Sequence, residues 1–341
     1  MNKCHRLHRR RVLGLGAVAA LGASVGPFAR PAQAQQKTVL KYTNDHPTGY
    51  PTVAAVESMG RKLETATNGR LSLQSYPGGV LGGPKEVIEQ LQVGAVQMYA
   101  AGVGWLGSVV TDINVFNLPF VFRDTTQMQK VVDGALGKEL LDRITNHPTA
   151  GLVGLCWLDA GARSFYDSRK PIHTIADLKG LKIRVQGNPM FVDMMNALGG
   201  NGVPLGYDQV FSALQTGVID GAENNMPSFV FDNHYQVAKF YTLTEHLIVP
   251  DVLVASRKSW DSLSKDDQAL ITKLSRDVQM ENRQLWNQYE TAAMEKAKAA
   301  GVQIFDVLPA DKKAFQDAVK PVWDKYGAPF AGVIKQIQAI G

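Results

Sequence analysis

Between Thr38 and Ala101 the sequence alternates between short β-forming runs and stretches with helical spacing, with turn residues at the boundaries. Thr38 to Tyr42 is rich in β-formers and stops at Asn44-Asp45-His46-Pro47, a cluster that favours a turn. Val53, Val56, Met59 and Leu63 then recur at helical spacing, with Pro51 suited to a first turn and Asn68-Gly69 to a stop. Leu71 to Tyr76 reads as a strand. Pro84 opens a helix that carries Val87, Ile88 and Leu91 on one face, and Ala95 to Ala101 is strand-like again. This β-α-β-α-β run restricts the chain to a parallel or mixed sheet wrapped by helices, the α/β class, in which ligands bind beyond the carboxyl ends of strands.

The pattern then repeats. An apolar bend, Asn117 to Phe122, leads into a helix from about Thr125 to Ile144, and Leu152 to Leu158 is a strand. Thr174 and Asp177 have the spacing of a capping box, Leu181 to Val185 is a strand, and Asn188-Pro189 opens a helix through Leu198. Asp208 is placed to cap a helix to Thr216, and Val218 to Asp220 reads as a short strand. From Ser264 to about Ala300 neither Gly nor Pro interrupts a helical pattern, which at 1.5 Å per residue makes a rod of about 54 Å. Gly301 stops it, Val302 to Phe305 suits an edge strand, and Asp311 to Tyr326 a last helix. We therefore expect two lobes, residues 35–160 with about 250–287 and residues 161–249 with about 288–341, bridged by the long helix and joined by more than one crossing strand.

Charge first suggests an anionic polymer as partner, because the 341 residues carry a formal net charge of +5. Six of the 36 Lys and Arg, however, lie in the first 34 residues, which hold no acid; removing them leaves 30 cations against 31 acids, a net of −1. Nucleic-acid binding is thereby disfavoured. The same 34 residues have a charged start, an apolar run from Val12 to Val25 and the small-residue site Ala32-Gln33-Ala34, the form of an export signal cleaved after Ala34. Arg9-Arg10-Arg11 fits either a twin-arginine leader or an ordinary basic one. No later stretch is apolar enough to span a bilayer, so the mature protein is expected to be periplasmic and not membrane-spanning. Cys4 leaves with the leader, and Cys156, in an apolar run, reads as a buried inert thiol.

Most enzymatic signatures are missing. The mature histidines His46, His147, His173, His234 and His246 are scattered without ligand spacing, and neither a phosphate-cradling loop nor Gly-x-Ser-x-Gly occurs in the mature chain, so no metal or cofactor is expected. Polar residues at strand exits stand out instead. Arg184 ends Leu181-Lys182-Ile183-Arg184-Val185, next to Asn188 and a helix start, where a guanidinium can grip a carboxylate with two parallel bonds; a surface arginine paired to a nearby acid is the bland alternative. Arg163 has the same two readings. Asn224 can donate and accept or merely form a turn, His46 can bond a hydroxyl or cap its turn, and Tyr207 can wall a pocket or pack.

Four segments together carry a resemblance: Tyr76-Pro77-Gly78-Gly79-Val80-Leu81-Gly82, Asn117-Leu118-Pro119-Phe120, Asp177 to Val185, and Ala213 to Asn224. In these and in their order, from about Val39 to the end, the chain resembles the solute-binding proteins of tripartite ATP-independent periplasmic (TRAP) transporters, the DctP-like family. The resemblance implies a two-lobed periplasmic binding protein fold closing on a small organic acid, a long helix across both lobes, and delivery to membrane permease subunits by a monomeric carrier without ATP. It puts the carboxylate-binding arginine on Arg184, the arginine of the preceding strand's exit on Arg163, the amide on Asn224 and the wall aromatic on Tyr207.

His46-Pro47-Thr48-Gly49-Tyr50-Pro51-Thr52 looks like the branch for sugar acids such as glucuronate and galacturonate. Similar sequences often have an arginine where this one reads Tyr99-Ala100-Ala101, a lost cation that leaves room for a larger or less charged acid. Two other readings are a periplasmic sensor subunit for an organic acid and a secreted hydrolase or lyase using Asp45 and His46.

Overall fold

The computed structural model describes residues 37–341; the expected export signal, with Cys4, lies outside them. In chain order the first part comprises β1 (Thr38–Thr43), α1 (Pro51–Ala66), β2 (Leu71–Tyr76), α2 (Pro84–Val93), β3 (Met98–Gly102), α3 (Val103–Leu106), α4 (Thr125–Asp133), α5 (Ala135–Thr145) and β4 (Leu152–Leu158). The middle comprises β5 (Ala162–Asp167), α6 (Ile175–Leu178), β6 (Lys182–Val185), α7 (Pro189–Ala197), β7 (Asn201–Pro204), α8 (Val210–Gln215), β8 (Gly221–Asn224), α9 (Met226–Phe231) and β9 (Phe240–Ile248). The last part is β10 (Asp251–Ser256), α10 (Arg257–Asp261), α11 (Lys265–Ala299), β11 (Gln303–Asp306), α12 (Pro309–Ala318), α13 (Lys320–Tyr326) and α14 (Ala331–Ala339).

Two sheets result. The first has order β2-β1-β3-β10-β4 and the second β11-β9-β5-β8-β6-β7, so the chain passes from one sheet to the other between β4 and β5 and back between β9 and β10. β1 pairs in parallel with β2 and β3, as the βαβ spacing requires, whereas β10 enters antiparallel between β3 and β4. A third crossing follows, from β10 through α10 and α11 to β11 of the second sheet.

Helix α11, 35 residues long, lies against α1 and β4 on the first lobe and α9 on the second. Its ends follow electrostatic preference: Ser264 caps the Asp267 amide, acids fill the first turn, Lys296 and Lys298 the last, and Gly301 leaves it with φ +79°. Trp286, near its middle, is buried against Tyr50 with ring centroids 5.8 Å apart. The α/β two-lobe architecture with a spanning helix is as the alternation predicted.

Several boundaries differ. The helix expected over Thr125–Ile144 is α4 and α5, parted at Gly134, whose backbone is extended. The expected final helix is α12 and α13, with α14 beyond them; Pro321, lacking an amide hydrogen, sits in the first turn of α13. Asp208 caps nothing: it lies in the short 3-10 turn Tyr207–Gln209 ahead of α8. The strand expected at Val218–Asp220 is displaced to Gly221–Asn224, where pairing with β5 and β6 outweighs the weak strand propensity of Gly-Ala-Glu-Asn. Cys156 is buried, and burial pushes its thiol well above its usual range.

Candidate ligand-binding site

A small, nearly closed cavity lies where the two lobes meet. The first lobe contributes Asn44, Asp45, His46 and Tyr50 from the segment between β1 and α1, Ala100 and Gly102 from β3, Trp105 from α3 and Asp251 from the start of β10; the second contributes Arg163, Gln186, Tyr207, Asn224 and Asn225. The turn after β1 is held from several sides: Asn44 donates to the Ala100 carbonyl and accepts from the His46 amide, while the Gly78 and Gly79 amides donate to the carbonyls of His46 and Asn44. Gly78 and Gly79, at φ +78° and +68°, take a conformation that side-chain-bearing residues resist, which explains the Pro-Gly-Gly spacing.

The two arginines sit on strands flanking β8. Arg163 is fully engaged. Its Nε and Nη2 donate to the Glu223 carboxylate, Nη2 also to the Glu223 carbonyl at 2.7 Å, and Nη1 to Asn224 Oδ1 at 2.6 Å. Burial alone would lower its pKa, but Glu223 more than reverses this, so the cation is firmly charged. Arg184 is as deeply placed, 1% exposed, yet its Nε and Nη2 share only the Leu205 carbonyl, at 3.0 and 2.8 Å. Trp105 and Tyr207 cover it, with ring centroids 5.9 and 5.6 Å from Cζ. Among the described residues it forms no ion pair. Burial drives its pKa down and the more distant Glu223 only partly offsets that.

Across the cleft stands an acidic wall. Asp45 accepts the single Tyr99 hydroxyl proton, shared between its two oxygens at 2.8 and 3.0 Å, and burial raises its pKa to about 6 against the pull of His46. Burial likewise lifts Asp251 to about 6. His46 bridges the lobes: Nδ1 lies 2.9 Å from Asp232 Oδ2, which also accepts from the Tyr207 hydroxyl at 2.6 Å, and the imidazole stacks on Tyr50 at 3.8 Å. Burial lowers the His46 pKa, but Asp232 and the neighbouring acids outweigh it, leaving it above the ordinary value. A second cross-lobe bond joins the Tyr50 and Ser228 hydroxyls at 2.9 Å.

Of the six residues singled out in the sequence, His46, Arg163, Tyr207 and Asn224 line the cavity, and Arg184 lies directly behind Trp105 and Tyr207. Arg163 lies within β5, near its start, rather than following a strand. Asn188 is elsewhere: its Oδ1 caps the Met190 amide and its amide group bonds the Gly104 carbonyl and Asn114, a lobe-to-lobe tie outside the cavity lining. Asp45 and His46, adjacent in sequence, are engaged separately, one by Tyr99 and the other by Asp232. Sequence reasoning missed Trp105 and Asp251. Trp105 had a usable signal, a large aromatic between glycines just after a strand exit; Asp251 had little, because β10 itself was not read.

Residues 43–328 match the model of the bacterial extracellular solute-binding protein family 7, DctP. The chain belongs to this family. It is a TRAP-type solute-binding protein, as its relatives bear out. A TRAP solute-binding protein from Pseudomonas putida F1, solved with bound D-glucuronate, is 53% identical and superposes with a TM-score of 0.86 over 89% of this chain and 97% of that one. A Citrobacter koseri TRAP protein with bound D-glucuronate is 44% identical, with TM-score 0.87 over 89% of this chain and 100% of that one. The open, apo form of the Citrobacter koseri protein scores only 0.77, at 43% identity over 88% of this chain and 99% of that one. The present arrangement is therefore nearer the ligand-bound form, consistent with the bonds across the cleft. The C4-dicarboxylate-binding periplasmic protein DctP of Rhodobacter capsulatus is 30% identical over 93% of each chain.

Proposed function

We propose that this protein captures a sugar acid of the hexuronate type, glucuronate or galacturonate, by its carboxylate and delivers it unchanged to the membrane permease subunits of a TRAP transporter. One observation carries the carboxylate clamp: Arg184 is a buried guanidinium without an acid partner, directly behind the Trp105 and Tyr207 wall of a closed cleft. Such a group is costly unless an anion reaches it, and a carboxylate bound there gains charge-assisted bonds in a site screened from water. Arg163, held rigid by Glu223, presents the Asn224 amide and a fixed positive field; Tyr207 and His46 complete the wall. The choice of a uronate rests on the glucuronate found in the Pseudomonas putida and Citrobacter koseri proteins.

The cycle follows from the geometry. An open cleft admits the acid, closure buries it, and the closed surface is what a permease distinguishes from the empty form. The lobes divide at residues 35–160 with about 250–287, and 161–249 with about 288–341, and the leader is removed after Ala34 on the way to the periplasm. Replacing Arg184 by Ala should weaken D-glucuronate binding about a hundredfold or more in calorimetry, with an unchanged circular dichroism spectrum. Wild-type affinity in that variant would end the clamp assignment.

A further inference from the structure

We propose that Asp251, seconded by Asp45, is the specificity-determining group of this site: it accepts bonds from hydroxyls at the end of the ligand remote from its carboxylate and refuses a second carboxylate there. The inference rests on the sugar-acid reading above and deepens it.

Asp251 opens β10, in register with Gly102 of β3 and Leu158 of β4, so three strand ends converge where its side chain meets the cavity. Among the described residues its carboxylate takes no hydrogen bond, and it is not one of the sealed polar atoms without a partner, such as Gln186 Oε1 and His246 Nε2. Its oxygens therefore have room to meet a ligand. Gly102 keeps that corner clear: a Cβ there would stand 3.6 Å from Asp251 Oδ1 and 3.7 Å from both Gln186 Nε2 and Trp105 Cδ1. Asp45 is half committed, bonded by Tyr99, which makes it the weaker reader.

The cavity is thus polarised. On the second lobe the lining offers the Asn224 amide held by Arg163, with the guanidinium of Arg184 directly behind Tyr207; on the first it offers the carboxylates of Asp45 and Asp251. A hydroxyl brings a proton to an acceptor, whereas an ionised carboxylate brings only lone pairs and like charge. A polyhydroxy monoacid satisfies both ends. A diacid satisfies one and is repelled at the other. Protonation weakens the preference, because a neutral carboxyl can donate to a second carboxylate and no longer repels it. The charged and titratable groups facing Asp251 are Asp45 and His46 from the turn after β1, Tyr42 from β1, Tyr50 at the start of α1, Tyr99 from β3 and Arg163 from β5. Asp45 and Asp251 both titrate near 6, so the change falls between pH 7.5 and 5.

The test compares D-glucuronate with D-glucarate, the same carbon skeleton with a second carboxylate at the far end, by calorimetry on the mature protein. At pH 7.5 the wild type should prefer glucuronate about a hundredfold. Asp251→Asn should bind glucuronate about tenfold more weakly and narrow the preference at least tenfold, with Asp45→Asn moving it less. Without any substitution, lowering the pH to 5 should narrow the wild-type preference about tenfold. A preference that stays constant in Asp251→Asn and across that pH range overturns the proposal while leaving the uronate reading standing. A wild type that binds neither sugar acid removes the uronate reading, and this one with it.

Discussion

Arg163 and Arg184 stand on strands either side of β8, both buried, one lining the cavity and the other directly behind its wall, yet their surroundings are opposite in charge. Arg163 is neutralised by Glu223, itself fully buried, and every nitrogen of its guanidinium has a partner. Arg184 has one carbonyl oxygen and two aromatic faces. Both are buried arginines; the presence of a resident counter-ion separates a cation held in the structure from the one proposed to meet cargo.

The contrast breaks most sharply through stability. Arg163→Ala leaves Glu223 charged and buried without its partner, and should cost about 3–5 kcal/mol in urea unfolding, most of it recovered when Glu223→Gln is added. Arg184→Ala removes a buried cation that had no ion pair, so the apo protein should lose far less than in Arg163→Ala while ligand affinity collapses. Equal destabilisation by the two substitutions would erase the distinction.

A finer probe is the His46–Asp232 bridge. His46 has a folded-state pKa above its ordinary value, so its contribution is complete below the unfolded value of about 6.5 and is lost as pH rises through the folded one. His46→Gln should speed ligand release several-fold at pH 6, an effect of about 1 kcal/mol, and should make little difference at pH 9, as stopped-flow dissociation would register.

Where local chemistry and tertiary pairing agree, the fold was legible. Pro51, Asn68-Gly69, Pro84 and Gly94 bound α1 and α2 close to where the turn signals put them, and α11 runs from its Ser264 cap to Gly301. The failures share a cause. β5 and β8 are rich in polar residues, Ala-Arg-Ser-Phe-Tyr-Asp and Gly-Ala-Glu-Asn, and became buried strands because they satisfy one another through Arg163, Glu223 and Asn224 rather than through apolar alternation. β9 carries Glu245 at φ +48°, an interruption that blurs its periodicity, and β10 pairs only with distant strands. Arg184, the arginine proposed to bind the ligand, could be singled out because a family pattern points to it. Asp251 could not, since its meaning depends on which strand ends converge around it.

Helix α11 has one further consequence. Because a single rod without Gly or Pro is fastened to both halves, parting the lobes has to flex it or shear the side chains seated along it, Trp286 among them. The resistance to parting is therefore set in part by this one element, and residues along it far from the cleft bear on how readily the lobes separate.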